Sequence, residues 1–178
     1  MLTGPIAVTG ASGHVGTAVQ RRLASEPNEV RPLGRDADLA QAFRDADAVV
    51  HLAGTLAPAK GDSYETANQG TAKAVAAALP GSSVRRMVDL SYATADPASS
   101  NAYLRAKGQG ELALAETGVP LVVLRATMIF GPPGDPGPSF APFLSKGGKP
   151  VAVIGRGDQR IAPVFVDERC AASPKSDT

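Results

Sequence analysis

Apolar residues along the chain alternate between short continuous runs and stretches with helical spacing. Ile6–Thr9 is a β-rich run that ends in glycine-bearing sequence. From His14 to about Ser25, Val15, Ala18, Val19 and Leu23 recur at helical intervals. Val30–Leu33 reads as a strand, and Pro32 within it argues for a sheet edge, because proline cannot donate to a ladder. Leu39, Ala42, Phe43 and Ala46 predict a helix over 36–46, followed by a buried-strand run at 48–53. An Ala-rich helix is predicted from Tyr64 to Leu79, where Pro80-Gly81 stops it. A strand over 86–91, a helix over 101–116 ended by Thr117-Gly118, and a strand over 121–126 complete the regular pattern. Val151–Ile154 reads as one more strand and Val164–Val166 as a short apolar run.

Strands alternating with helices predict an α/β fold, a doubly wound parallel sheet with right-handed crossovers and helices on both faces. The Pro- and Gly-rich stretch 131–150 reads as a loop, and loops at the carboxyl ends of such strands commonly build ligand sites. Residues 1–168 are expected to form one domain and 169–178 a disordered tail.

Composition narrows the function classes. With 178 residues the chain is long enough for a core without disulfides or metals. Aromatic residues make up 4% and there is no Trp, so Ala, Val and Leu must fill that core. The net charge of +1 gives no electrostatic reason to expect nucleic acid or an anionic membrane as partner. Cys170 is the single cysteine, which excludes an internal disulfide framework and a cysteine-based zinc cluster and fits a cytoplasmic setting. The two histidines, His14 and His51, do not make a metal site, and His51 is expected to be a core histidine with one ring nitrogen satisfied. The N-terminus shows no signal-peptide pattern, and the longest apolar run, from Pro120 to Phe130, is too short to span a bilayer.

Residues 8–16 read VTGASGHVG, with Gly10, Gly13 and Gly16 at G-x-x-G-x-x-G spacing between a predicted strand and a predicted helix. In that context Gly10 allows a sharp turn, Gly13 lets a pyrophosphate approach the backbone, and Gly16 lets helix pack on strand. The N–H groups at the head of the helix, around Ser12, His14 and Val15, are placed to hold phosphate. Tyr103 and Lys107, at i and i+4 on a predicted helix, share one face, where an ammonium lowers the pKa of a nearby phenol.

VTGASGHVG resembles the fingerprint of the short-chain dehydrogenase/reductase superfamily, in its extended and atypical branch of NAD-dependent epimerase/dehydratase-like proteins. Further segments follow in the family's order: HLAG at 51–54, NQGT at 68–71, the Y-x-x-x-K of Tyr103 and Lys107, Leu124-Arg125 with FGP at 130–132, and PVFVD at 163–167. The resemblance implies a Rossmann-like domain that binds NAD or NADP, with Ala53 and Gly54 beside the adenine ribose and Lys107 on the nicotinamide ribose. It implies Tyr103 as acid/base, aided by a serine or threonine after the fifth strand. Ser91 and Thr94 are the candidates, and the usual serine position falls near Ala93. Gly34 stands where an acidic residue would select NAD; Arg35 beside it favours the 2′-phosphate of NADP, while Asp36 keeps NAD open.

The short interval between His14 and His51 leaves room for one βα unit fewer than the family pattern, and the family's C-terminal substrate region is not matched. The leading expectation is an NAD(P)-dependent oxidoreductase or epimerase/dehydratase acting on a small carbonyl, hydroxyl or sugar-like substrate, with a homodimer allowed. The alternatives are a non-catalytic dinucleotide-binding sensor or assembly subunit, and a truncated relative.

Overall fold

The computed structural model describes residues 3–131 and 162–166. Five parallel strands form the main sheet: β1 (Ile6–Thr9), β2 (Val30–Leu33), β3 (Ala48–His51), β4 (Arg86–Tyr92) and β5 (Leu121–Ala126), in the order β2-β1-β3-β4-β5. The chain runs outward from β1 to β2, then crosses back to β3 on the other side. The crevice at the carboxyl ends of β1 and β3 is therefore a topological switch point, where α/β sheets bind ligands. Among the described residues no strand lies beyond β2, so that half of the sheet has two strands rather than three, as the short sequence interval implied. Pro32 sits on this edge strand, where its missing N–H costs no central ladder bond.

The helices divide between the two faces. Helix α1 (His14–Leu23) covers Ile6, Val8 and Ala48 through Leu23 and its neighbours. Helices α2 (Leu39–Phe43), α3 (Thr71–Ala78) and α4 (Ala102–Ala115) cover the opposite face, where Phe43, Val75 and Leu114 close over Ala7, Val49 and Met87. Phe43, Leu114 and Met87 are essentially removed from solvent and anchor this core.

Two predicted helices differ from their patterns. The helix expected over 36–46 is limited to α2, because the Asp38 side chain caps it by accepting from the Gln41 N–H at 3.0 Å, and the chain must then turn into β3. The helix expected from Tyr64 starts as a π-helical segment, Glu65–Gly70, and becomes α-helical only at Thr71. There the Asn68 side chain enters the ladder, donating to the carbonyls of Tyr64 (3.2 Å) and Thr55 (3.1 Å). Side-chain bonds of this kind distort regular helix. A small second sheet pairs β6 (Ile129–Phe130) in parallel with β7 (Val164–Phe165), a pairing the sequence pattern did not foretell. The strand expected at 151–154, the tail at 169–178, Cys170 and all of the 131–150 loop except Gly131 lie outside the described residues.

Candidate functional site

At the carboxyl edge of the sheet a cleft of about 650 Å³ opens between the turn after β1 and the segment after β3. It gathers most of the residues singled out from sequence: Gly10, Gly13, His14, Val15 and Gly16 on one side, Ala53 and Gly54 on another, and Ser91, Tyr103 and Lys107 at the far end. Ser12 lines a second, neighbouring cavity of about 300 Å³ with Gly34, and the exposed Arg35 follows Gly34 in the chain. Thr94 is exposed and lines neither cavity.

The glycines differ in what they do. Gly10 has φ +66°, and a Cβ there would lie 2.7 Å from the Ala53 nitrogen. A Cβ on Gly16 would lie 2.2 Å from the Gly10 carbonyl oxygen. Both are required by backbone packing alone. A Cβ on Gly13 would meet one backbone oxygen, at 3.2 Å, yet Gly13 lines the cleft. Gly13 is also the N-cap of α1, no side chain caps that helix, and its first turn carries no acidic residue. Uncapped N–H groups and the positive end of the helix dipole thus stand at the cleft wall.

At the other end, α4 is started by Asn101, whose side chain accepts from the N–H groups of Tyr103 and Leu104 at 3.0 and 3.2 Å. Lys107 is buried and donates from Nζ to the Leu90 carbonyl at 2.6 Å. Tyr103 packs edge-on between Tyr64 and Tyr92, each with ring centroids 5.5 Å away, so the chain's three tyrosines form one cluster. Burial pushes the Tyr103 phenol up to about 12, with Tyr92 and Tyr64 adding to the rise. This is opposite to the lowering expected from the i, i+4 spacing, because the ammonium is directed at the strand-end carbonyl of Leu90. The Ser91 hydroxyl is buried without a hydrogen-bond partner. His51 matches the expected core histidine: Nδ1 bonds the Thr9 hydroxyl at 2.7 Å, and Nε2 has no hydrogen-bond partner.

The family model of the NAD dependent epimerase/dehydratase family matches residues 6–173. The chain belongs to this family. Within the curated proteins it is similar to the ceramide reductase of Caulobacter vibrioides (strain NA1000 / CB15N), with 26% identity over 190 residues, 94% of this chain and 59% of that protein. The chain thus spans 59% of the length of the curated relative it matches. The solved UDP-glucuronic acid 4-epimerase of Bacillus cereus, in complex with NAD, superposes with a TM-score of 0.77 at 20% identity, over 93% of this chain and 70% of that one. The UDP-N-acetylglucosamine 4-epimerase of Methanobrevibacter ruminantium M1 superposes with a TM-score of 0.76 at 21% identity, over 96% and 72%. At these identities the two structures establish a shared fold.

For a member of the epimerase/dehydratase family, the site holds two residues left unmarked in the sequence, Tyr92 and Asp89, and a contact of Asn68 from the NQGT segment that the sequence does not show. Tyr92, directly after Ser91, forms one wall around Tyr103. Asp89, two residues before Ser91, is a buried acid among the apolar residues Met87, Val88 and Leu90, and that contrast was its signal. Asn68 accepts from the Thr55 N–H at 3.1 Å and so fixes the segment beyond Gly54. Among the described residues no helix is long and apolar enough to cross a membrane, and no group of three or more His, Cys, Asp or Glu could hold a metal ion.

Proposed function

We propose that this chain binds NAD or NADP and takes part in an oxidoreductase or epimerase/dehydratase reaction on a small carbonyl, hydroxyl or sugar-like substrate. The observation that carries the reading is Gly13: it caps a helix that no side chain caps, in the cleft that also contains Tyr103 and Lys107. These residues fit a dinucleotide. Gly13 would let the diphosphate approach, and the backbone N–H groups of Val15 and Gly16, with Ser12, would hold it. Ala53 and Gly54 would flank the adenine ribose. Arg35 would favour the 2′-phosphate of NADP, and Asp36 would serve NAD. Lys107 has three N–H donors, of which Leu90 takes one, leaving donors for a ribose diol. When bound, the nicotinamide supplies the hydride donor or acceptor.

The remaining chemistry belongs to the chain. The Tyr103 hydroxyl gives a proton to, or takes one from, the reacting oxygen. The Lys107 cation would favour the phenolate once both face a ligand. The Ser91 hydroxyl, unpartnered at the same end of the cleft, is the better of the two candidates for holding that oxygen. The reading places residues 1–168 in one dinucleotide-binding domain. It carries a cytoplasmic setting and a homodimer as further proposals, checked by cell fractionation and light scattering.

A non-catalytic dinucleotide-binding module is the second reading, favoured by Ala93, an exposed alanine at the usual serine position. Titration with NADH and NADPH by cofactor fluorescence tests the shared claim; no binding of either defeats both readings. Carbonyl-dependent cofactor oxidation in wild type and Tyr103→Phe separates them. The enzyme reading expects at least a ~100-fold loss of turnover with cofactor affinity kept within about threefold. Undiminished turnover in the variant removes Tyr103 from the mechanism.

A further inference from the structure

Residues paired across neighbouring parallel strands share a face of the sheet. One such row, Ala7–Val49–Met87–Leu121, is apolar. Two residues further toward the cleft, the next row reads Thr9–His51–Asp89–Val123. Helix α4 covers this face and adds Lys107 and Glu111. Thr9, His51, Asp89, Lys107 and Glu111 are each at most 9% exposed, so a chamber of polar side chains lies directly beneath the cleft.

A buried ammonium is costly unless a carboxylate faces it. Two carboxylates act on Lys107, those of Asp89 and Glu111. Glu111 is held by Arg125 through two hydrogen bonds, Nε to Oε1 at 3.1 Å and Nη2 to Oε2 at 2.5 Å, so its charge is already matched. Asp89 immediately precedes Leu90, whose carbonyl receives the Lys107 Nζ. His51 does not compete as a cation: burial, then the charge of Lys107, hold it down to about 3. The other wall of the site is made by Tyr64, Tyr92 and Tyr103.

We propose that Asp89 is the counter-ion of Lys107, a positioning residue that keeps the ammonium charged and seated on the Leu90 carbonyl beneath the cleft. The consequence for catalysis rests on the proposed function, but the pairing of charges does not. Burial pushes Asp89 up to about 6, against the opposing pull of Lys107, so acidification through that range removes the counter-charge.

The test is an NMR titration of the whole chain with 13C-labelled lysine, in the absence of cofactor or substrate. The Lys107 Cε resonance is assigned by its loss in Lys107→Met. Asp89→Asn is expected to lower its titration midpoint by about one pH unit or more, a tenfold or greater loss of proton affinity. Glu111→Gln is expected to move it much less. An unshifted midpoint in a folded Asp89→Asn chain, or an equal shift in Glu111→Gln, overturns the proposal. Should Asp89→Asn fail to fold, the unsubstituted chain still decides: the Lys107 resonance must show a smaller inflection near pH 6 as Asp89 takes a proton, and its absence overturns the assignment. Loss of dinucleotide binding would defeat the proposed function without altering either result.

Discussion

The two ends of the cleft are built from different materials. The end at β1 and α1 is almost entirely backbone: glycines that permit close approach, and a helix start that no side chain closes. The end at β4 and α4 is made of buried side chains, in which Lys107, Asp89 and Glu111 must be matched in charge and Tyr103 is held among aromatic rings. The first end depends on what is missing at three positions. The second depends on partners contributed by four separate elements. Substitutions should therefore fail in different ways at the two ends.

The sharpest separation lies within the glycine turn. Gly16→Val puts a side chain into the Gly10 carbonyl and is expected to cost about 3 kcal/mol or more of stability, read by denaturant unfolding. Gly13→Asp sets its Cβ 3.2 Å from the Gly10 carbonyl oxygen, a tight contact but a much smaller clash than at Gly16, so it should lose less stability than Gly16→Val, yet lose at least ~100-fold in dinucleotide affinity, about 2.7 kcal/mol, through repulsion of phosphate. Normal binding by that variant would remove the phosphate role from this end.

At the opposite end, pH is the probe. His51 has a folded pKa of about 3 against an ordinary value of 6.5, so its contribution is present above 6.5 and is lost as pH falls toward 3. Asp89 has the opposite sign. Its folded value of about 6 lies above the ordinary 3.8, so its contribution is present below 3.8 and is lost as pH rises through 6. His51→Gln should keep a melting temperature about 5 °C or more above wild type at pH 4.5, after matching the two at pH 8. Identical profiles would show that the ring is not the acid-sensitive group. Asp47 acts in both chains at lower pH: N–H donation from Gly4 and Thr3, with Arg85, holds it near 2, so its contribution is lost as pH falls from about 4 to 2.

Smaller effects separate neighbouring candidates. Ser91→Ala should lower turnover about tenfold while Thr94→Ala leaves it unchanged, and the reverse result would exchange their roles. Arg35→Ala should weaken NADPH relative to NADH by about threefold to tenfold, up to ~1.4 kcal/mol, in paired fluorescence titrations. An unchanged ratio would place cofactor choice elsewhere.

What was legible in the sequence follows the same division. Local signals worked where structure is local. Pro32 marked an edge strand, Asn101 stood at the start of α4, and the glycine spacing placed a turn between a strand and a helix. The regular pattern overstated α2 because periodicity cannot see that Asp38 caps the helix late. It also passed over the π-helical segment, because Asn68 bonds to Thr55, which reaches it only through the fold. Tyr103 and Lys107, paired in the sequence by their i, i+4 spacing, both line the cleft, but the Tyr103 phenol is pushed up where that spacing implied lowering. That depends first on burial and then on Tyr92 and Tyr64, which arrive from other elements. Asp89 drew no reading from the sequence, because strand register sets it beside His51 and α4 brings Lys107 over it only in the fold.

The pairing of β6 with β7 has a consequence for how such a protein diversifies. The Val164 N–H meets the Met128 carbonyl at 2.9 Å, the Thr127 hydroxyl meets the carbonyl of Ala162, and Phe130 stacks edge-on with Phe165. Thr127 and Ile129 line the cleft, so the chain leaves and returns at its rim through one clasp. With both ends tied there, doubling the number of residues between them costs only about 0.6 kcal/mol in closure entropy. A change in length between the tied ends can accordingly leave the clasp at the rim in place while the five strands beneath keep their register.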